Sequence, residues 1–266
     1  MASNEKWNRL EDKAFSFITI PPRVAKPRER GITVVADKGL GMGQAEDLFD
    51  LVGEYIDWIK IGISAPRIFT KKQLIDKINL CHKYDVKAFI AGDVTEMAIM
   101  QGVMDQYLEE VKELGADGVE IATAQIYMPL EEKCAIIKKA VEMGFQVFGE
   151  AGKKGVEGWA VAPNYVIKEV GALLEAGSYK VIIQGEGVLE NVPEIDSKPL
   201  YELAAKFNVN DLVFQAKDNR AHTWLIKNFG LEVNMDIESN QVVIVELCRR
   251  GIRKRGLFSL IGSYKG

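Results

Sequence analysis

Cysteine is scarce in this chain: Cys81, Cys134 and Cys248 lie far apart and show no metal-ligand spacing. They are expected as reduced thiols of a cytoplasmic protein, not as a disulfide framework or a zinc site. Long apolar runs are missing too. No stretch approaches the ~20 residues that span a bilayer, and no signal-like segment opens the sequence, so no membrane partner is expected. A strong charge of either sign is also lacking. The formal net charge is -4 over 266 residues, which offers nucleic acid no broad attraction. The local exception, Arg249, Arg250, Arg253, Lys254 and Arg255, reads as the last turn of a helix and a tail, where cations suit the helix C-terminus. Histidine is limited to His82, in a helical stretch and expected at the surface or part-packed, and His222, near a late loop with a route to a site.

What remains is an ordinary globular composition, 47% hydrophobic and 27% charged, in a chain long enough for one large barrel or two domains. From residue 31 onward, short β-branched runs alternate with longer segments of helical spacing. The strand-like runs are 31–37, 55–62, 86–92, 118–123, 146–152, 180–185, 211–216 and 232–237. Nearly continuous apolar strands separated by helices imply parallel strands buried on both faces. Eight such units without a composition break predict a closed (β/α)8 barrel of the TIM type over residues 31–255. Small glycine-containing motifs such as GADG at 115–118 and FGLE at 229–232 punctuate the helix ends, as left-handed C-caps do. The helix at 129–144 is expected to turn Leu130, Cys134, Ile137 and Val141 to one face. Met97, Met100 and Met104 fall at helical spacing and read as core. Residues 1–30, with Trp7, Phe15, Phe17 and Pro21-Pro22, read as an extension laid over the barrel or a neighbouring subunit, and residues 256–266 as a tail.

The stretch GFQVFGEAGKKG at 144–155 carries the most chemistry. A buried strand there ends in glycine and delivers Glu150, Lys153 and Lys154 together. Crowded lysines lower each other's pKa, and a nearby carboxylate can hold a metal or orient a base. The bland alternative is a solvated turn. Position in the chain favours chemistry, because reactive groups of such barrels gather at the C-terminal strand ends. Those ends carry Asp37 and Lys38, Lys60, Asp93, Glu120, Glu150 with Lys153 and Lys154, Gln184 and Glu186, Gln215 and Lys217, and Asn234 and Asp236. An anion site built from Gly185, Gly187, Lys217, Asn219 and Arg220 competes with a plain helix start capped by Asp218.

With these residues in place, the chain resembles the phosphosulfolactate synthase family, barrel lyases that add sulfite to phosphoenolpyruvate on the route to coenzyme M. The resemblance spans about 26–255 and rests on KPRERG, DKGL at 37–40, YIDWIKIG at 55–62, EAGKKG at 150–155, FGLEVNMDI at 229–237 and VELCRRGIR at 245–253. It implies a Mg²⁺-assisted reaction on a small anionic substrate, in a homo-oligomer. The family's proposed catalytic lysine matches Lys154, with Lys60 and Lys153 as further candidates. Glu150, supported by Asp37, Glu120 and Asp93, is the expected metal set, because Mg²⁺ prefers hard oxygen ligands. Lys38, Ser64, Arg67, Gln184, Gly185, Gln215, Lys217 and Asn234 are the expected substrate contacts.

Several strand-end loops depart from the family. The turn after the second strand is Ile63-Ser64-Ala65-Pro66, the third strand ends in AGDVTE at 91–96, and the sixth in Gln184-Gly185-Glu186-Gly187 without the family's arginine. The seventh ends in Phe214-Gln215-Ala216-Lys217. Two family carboxylates are thus amides here, which keeps shape and removes charge. The AGDVTE form is similar to plant heat-stress-associated relatives of the same family. The expected function is phosphosulfolactate synthase-like addition of sulfite or a related nucleophile to an enol phosphate. A Schiff-base aldolase using Lys60 or Lys154, and a non-catalytic stress-associated barrel, are the alternatives.

Overall fold

The computed structural model describes residues 11–154 and 163–253. Eight parallel strands close into one barrel in chain order: β1 Thr33–Asp37, β2 Trp58–Ile61, β3 Lys87–Ile90, β4 Gly118–Ile121, β5 Gln146–Ala151, β6 Lys180–Ile183, β7 Leu212–Gln215 and β8 Met235–Glu238. Closure is made by β1 on β8, with Thr33 opposite Met235 and Ala36 opposite Glu238. Helices alternate with the strands: α1 Met42–Val52, α2 Lys71–Lys83, α3 Gly92–Met100, α4 Met104–Glu113, α5 Leu130–Glu142, α6 Pro163–Glu175, α7 Ser197–Lys206, α8 Asn219–Phe229 and α9 Val242–Arg249. Each predicted strand is present. The architecture is the expected single (β/α)8 barrel.

Strand alternation divides the apolar residues into two cores. Outward positions such as Val35, Ile59, Ile61, Val119, Val147 and Ile183 meet the helices in the larger one. Inward positions Ile32, Val34, Trp58, Phe89, Phe148, Ile182 and Val213 fill the barrel interior. Phe89 stacks on Phe148 with centroids 4.4 Å apart, and Trp58 meets Phe148 edge-on at 5.0 Å. The barrel is therefore a packed plug at mid-height, and polar inward residues are confined to the two ends.

Local chemistry sets the element ends. Thr70 and Gln73 cap α2 reciprocally, Gln73 N donating to Thr70 Oγ1 at 3.2 Å and Thr70 N to Gln73 Oε1 at 2.9 Å. Asp218 accepts from Ala221 N at 2.8 Å and starts α8. Two expectations about helix faces are corrected. In α5 the buried positions are Lys133, Ile137 and Ala140, while Cys134 and Leu130 are half-buried and Val141 is exposed. Among the methionines, Met104 packs on the core, Met97 is half-buried and Met100 is exposed.

The described part of the N-terminal extension, residues 11–30, lies over the floor of the barrel, at the strands' N-terminal ends. Arg23 Nη1 donates to Glu246 Oε2 at 2.8 Å, Arg28 Nε to Asp57 Oδ1 at 2.9 Å, and Arg250 Nη1 to Pro21 O at 2.9 Å. Phe15 and Phe17 stay exposed. Of the basic cluster, Arg249 falls in the last turn of α9 as expected, buried and donating to Leu231 O at 2.6 Å, and Arg250 donates to Glu246 Oε1 at 2.7 Å. Trp7, Gly155, Lys254, Arg255 and the tail at 256–266 lie outside the described residues. The three cysteines are free thiols, and no helix among the described residues is long and apolar enough to cross a membrane.

Candidate active site

Above the apolar plug, one position further along each strand's inward face, the barrel turns polar. Lys60 (β2), Glu120 (β4), Glu150 (β5) and Asp236 (β8) come from four strands, with Gln215 from β7 and Gln184 just past β6. Lys60 Nζ donates to Glu120 Oε1 at 2.8 Å and to Asp236 Oδ2 at 3.2 Å, and Lys217 Nζ donates to Asp236 Oδ1 at 2.5 Å. Glu120's second oxygen accepts from Gly92 N at 2.6 Å. Glycine is required there, because a Cβ on residue 92 would come within 2.3 Å of Ala122 Cβ. Burial works against charge on Lys60, but Glu120, Asp236 and Glu150 outweigh it and hold the ammonium above the ordinary lysine range. Burial likewise opposes ionisation of Asp236, and Lys217 and Lys60 overcome it, so this carboxylate stays below its usual value.

Glu150 is set apart from its neighbours. Its Oε1 accepts from two amides, Gln215 Nε2 at 2.9 Å and Gln184 Nε2 at 3.3 Å. The amides are oriented by backbone donors at their own oxygens, Gly185 N to Gln215 Oε1 at 3.4 Å and Glu186 N to Gln184 Oε1 at 2.9 Å. The two amides thus converge on one oxygen of one acid. Burial, reinforced by the Glu120 charge, pushes the Glu150 carboxyl up to about 7 despite Lys60, Lys154 and Lys133.

The adjacent lysines have different positions. Lys153 Nζ is held by two loop carbonyls, Thr123 O at 2.5 Å and Ile126 O at 2.6 Å, and burial lowers its pKa. Lys154 keeps 36% of its side chain exposed and lies 3.5 Å from Asp93 Oδ1. Burial opposes its charge, but Glu150 and Asp93 together raise its pKa. Lys154 N also donates to Ala124 O at 3.0 Å. Lys153 thus fastens the β5–α6 connection to the β4–α5 loop, and Lys154 carries the accessible charge.

The remaining expected residues divide into rim, support and floor. Lys38 pairs with Glu238 at 2.8 Å on the rim. Ser64, in the left-handed region, precedes a short 3-10 turn at Ala65–Ile68 that carries Arg67 in an exposed position. Gly185 sits under Glu190, whose carboxyl carbon would lie 3.1 Å from an added Cβ. Asp37 is not with the other carboxylates: Oδ1 accepts from Gly39 N and Leu40 N, and Oδ2 from Lys77 of α2 at 2.5 Å. Asn234 lies at the opposite end of the barrel, accepting from Ile32 N at 2.8 Å and donating to Asn210 O and Leu212 O. The proposed late-loop anion site is a capped helix start, with Arg220 turned onto Pro193 O and Val192 O and Lys217 engaged by Asp236. His222 is buried under its loop, 2.7 Å from Ala216 O, and burial lowers it to about 4.

A shared metal set of Glu150, Asp37, Glu120 and Asp93 is therefore not assembled. Asp37 and Glu120 have both oxygens committed to ammonium and backbone N–H donors. No group of three His, Cys, Asp or Glu suited to a metal comes together among the described residues. Glu150 and Asp93, on either side of Lys154, are the carboxylates left facing the mouth.

Sequence reasoning missed Glu190, Lys77, Lys133 and Glu169. Glu190 Oε1 is buried without a hydrogen-bond partner among the described residues, and burial pushes the carboxyl up to about 7. Its only sequence signal was its place three residues past the QGEG segment at 184–187. The others sit on helices, where charged residues read as solvated.

A closed (β/α)8 barrel with a lysine–carboxylate mouth at the C-terminal strand ends belongs to the class of barrels that place their chemistry there. The profile of the (2R)-phospho-3-sulfolactate synthase (ComA) family matches residues 21–255. The phosphosulfolactate synthase of Methanothermobacter thermautotrophicus is 30% identical over 90% of this chain and 96% of its own length. That of Methanocaldococcus jannaschii is 31% identical over 91% and 97%. The protein HEAT-STRESS-ASSOCIATED 32 of Arabidopsis thaliana is 22% identical over 94% of each chain. The chain belongs to the phosphosulfolactate synthase family. Among solved structures, 3-hexulose-6-phosphate synthase superposes with a TM-score of 0.56 at 14% identity, covering 82% of this chain and 97% of that one, a likeness of fold alone.

Proposed function

We propose that this chain catalyses the addition of sulfite, or a related nucleophile, to the methylene carbon of phosphoenolpyruvate or a similar enol phosphate. The observation that carries this reading is Lys154, a charged, part-exposed ammonium raised by Glu150 and Asp93 at the mouth of the barrel. In the addition, the sulfur lone pair forms the C3–S bond and the C2=C3 π pair moves onto C2 and its carboxylate. The ammonium of Lys154 then donates a proton to C2, leaving a neutral amine. Glu150, which titrates at about 7 beside it, can pass a solvent-derived proton back. The buried Lys60 ammonium supplies fixed positive charge beneath the reacting carbons.

Asp93, completed by water and the substrate's own oxygens, is the residue that would hold Mg²⁺, since this ion commonly uses one or two carboxylates with substrate oxygens. Bound there it would stabilise negative charge on the enolate carboxylate.

An imine mechanism needs a neutral amine. Lys60 and Lys154 are both held in the charged form, which weighs against the aldolase alternative. Pyruvate and borohydride are accordingly expected to leave the protein mass unchanged. The direct test is incubation with phosphoenolpyruvate, sulfite and Mg²⁺, followed by phosphorus NMR. A new phosphate monoester formed in proportion to enzyme is expected. Its absence with every divalent metal tried would overturn the reading.

A further inference from the structure

Beneath the β5 end, outside the residues that face the mouth, lies a fully buried ion pair. Lys133 of α5 and Glu169 of α6 meet at 2.9 Å, each almost without solvent exposure. Neither spends its remaining hydrogen-bonding capacity on its own helix. Lys133 Nζ donates to Glu150 O at 2.6 Å and to Thr123 Oγ1 at 3.1 Å. Glu169 Oε2 accepts from Gly152 N at 3.0 Å. One pair of side chains therefore grips the carbonyl at the start and the amide in the middle of the short turn leading from Glu150 to Lys154.

A buried pair of this kind is a poor way to gain stability, because desolvating both ions offsets most of their attraction, and a well-packed apolar pair would often do as well. Its value lies in direction. The two helices are tied to two named backbone atoms, and Gly152 holds a φ of 108° that only glycine adopts readily. On the outer side of the same turn, Lys153 is tied to Thr123 O and Ile126 O. Thr123 is thus held from both sides, by Lys133 through its hydroxyl and by Lys153 through its carbonyl. The turn is clamped, and Lys154 projects from the clamp.

We infer that Lys133 and Glu169 are positioning residues, which hold the β5 turn so that Glu150 and Lys154 face the substrate together. The inference rests on the reading of Lys154 as proton donor. It is tested first by a measurement that needs no turnover: amide hydrogen exchange at Gly152 and Lys154, resolved by NMR, in Glu169→Gln and Lys133→Met. The control is Glu246→Gln, which perturbs buried arginines at the opposite end of the barrel. Exchange at Gly152 and Lys154 is expected to quicken at least about tenfold in Glu169→Gln and to track only the global stability change in Glu246→Gln. Glu169→Gln keeps the side chain's shape, so it serves if Lys133→Met does not fold.

With phosphoenolpyruvate and sulfite, Glu169→Gln should then lose at least about tenfold in kcat with KM within about threefold. Exchange that rises no more than in the control would overturn the inference. So would local loosening without loss of kcat. If the unaltered protein forms no product, the function proposed above fails, and the exchange comparison still decides whether the clamp exists.

Discussion

The two ends of this barrel are both rich in buried charge, yet they are built from different cations. The floor pairs its buried carboxylates with arginine: Arg23, Arg28 and Arg250 meet Glu246 and Asp57, Arg249 and Arg250 also reach backbone carbonyls, and Lys26 and Lys180 reach only the carbonyls of Asp85 and Glu29 as hydrogen bonds. The mouth uses lysine: Lys60, Lys154 and Lys217 meet Glu120, Asp93 and Asp236. Guanidinium is planar, forks onto two acceptors and keeps its proton, so it fastens. Ammonium is a point charge whose proton can move. The carboxylates differ as well. Glu246 is bound by two arginines on the floor, whereas Glu150 at the mouth has only amide donors on its side chain and is pushed to about 7. Buried charge alone does not mark a reactive end.

This contrast can be broken in four ways. The largest effect is expected at the mouth. Lys154→Met should lower turnover of phosphoenolpyruvate with sulfite by about 10³-fold, against roughly tenfold for Lys153→Met, measured per folded protein. Equal losses would remove the distinction between the accessible and the fastened lysine. On the floor, Glu246→Ala strands two buried guanidinium groups. It should cost about 3–5 kcal/mol in denaturant unfolding, with kcat per folded molecule unchanged. A fall in kcat would show that the ends are not independent.

A smaller effect is expected from Glu190, whose carboxyl burial raises from 4.5 to about 7. Between those values the native state binds a proton that the unfolded state does not, so this group's contribution to stability falls as pH rises. It is full below about 4.5 and lost through about 7. Glu190→Gln should therefore gain about 2–3 kcal/mol relative to the parent between pH 4.5 and pH 8, read from urea unfolding curves. A difference independent of pH would contradict the assignment. Smallest is Gln215→Glu, which puts a second carboxyl 2.9 Å from Glu150 in place of an amide donor. Like charges at that distance should move the rate profile's limb near pH 7 upward by about one unit.

The barrel was legible in the sequence because its signal is repeated eight times: β-branched runs, helical spacing and glycine at the helix ends. The site was legible where a residue's place follows from its strand end, as with Lys60, Glu120, Glu150 and Lys154. It failed where a strand's limits were off by a few residues. Taking the last strand as 232–237 put Asn234 at the mouth, but β8 runs Met235–Glu238 and Asn234 belongs to the floor. It failed again where a helix supplies the partner. Asp37 read as a metal ligand because nothing in the sequence says that Lys77, forty positions later, reaches it. Lys133 was hidden for the same reason, since an amphipathic pattern places lysine outside and Cys134 inside. The amide departures were visible, but not that Gln184 and Gln215 converge on one oxygen.

The central claim is that the ammonium at position 154, and no other property of that side chain, drives the reaction. Lys154→Cys followed by aminoethylation restores an amine at nearly the original length, with the aminoethylated parent as reference for the native cysteines. The account predicts that Lys154→Cys loses about 10³-fold in turnover of phosphoenolpyruvate with sulfite and recovers at least about tenfold on aminoethylation, but not after alkylation with iodoacetamide. Full activity in Lys154→Cys, or equal recovery with the neutral reagent, would contradict it.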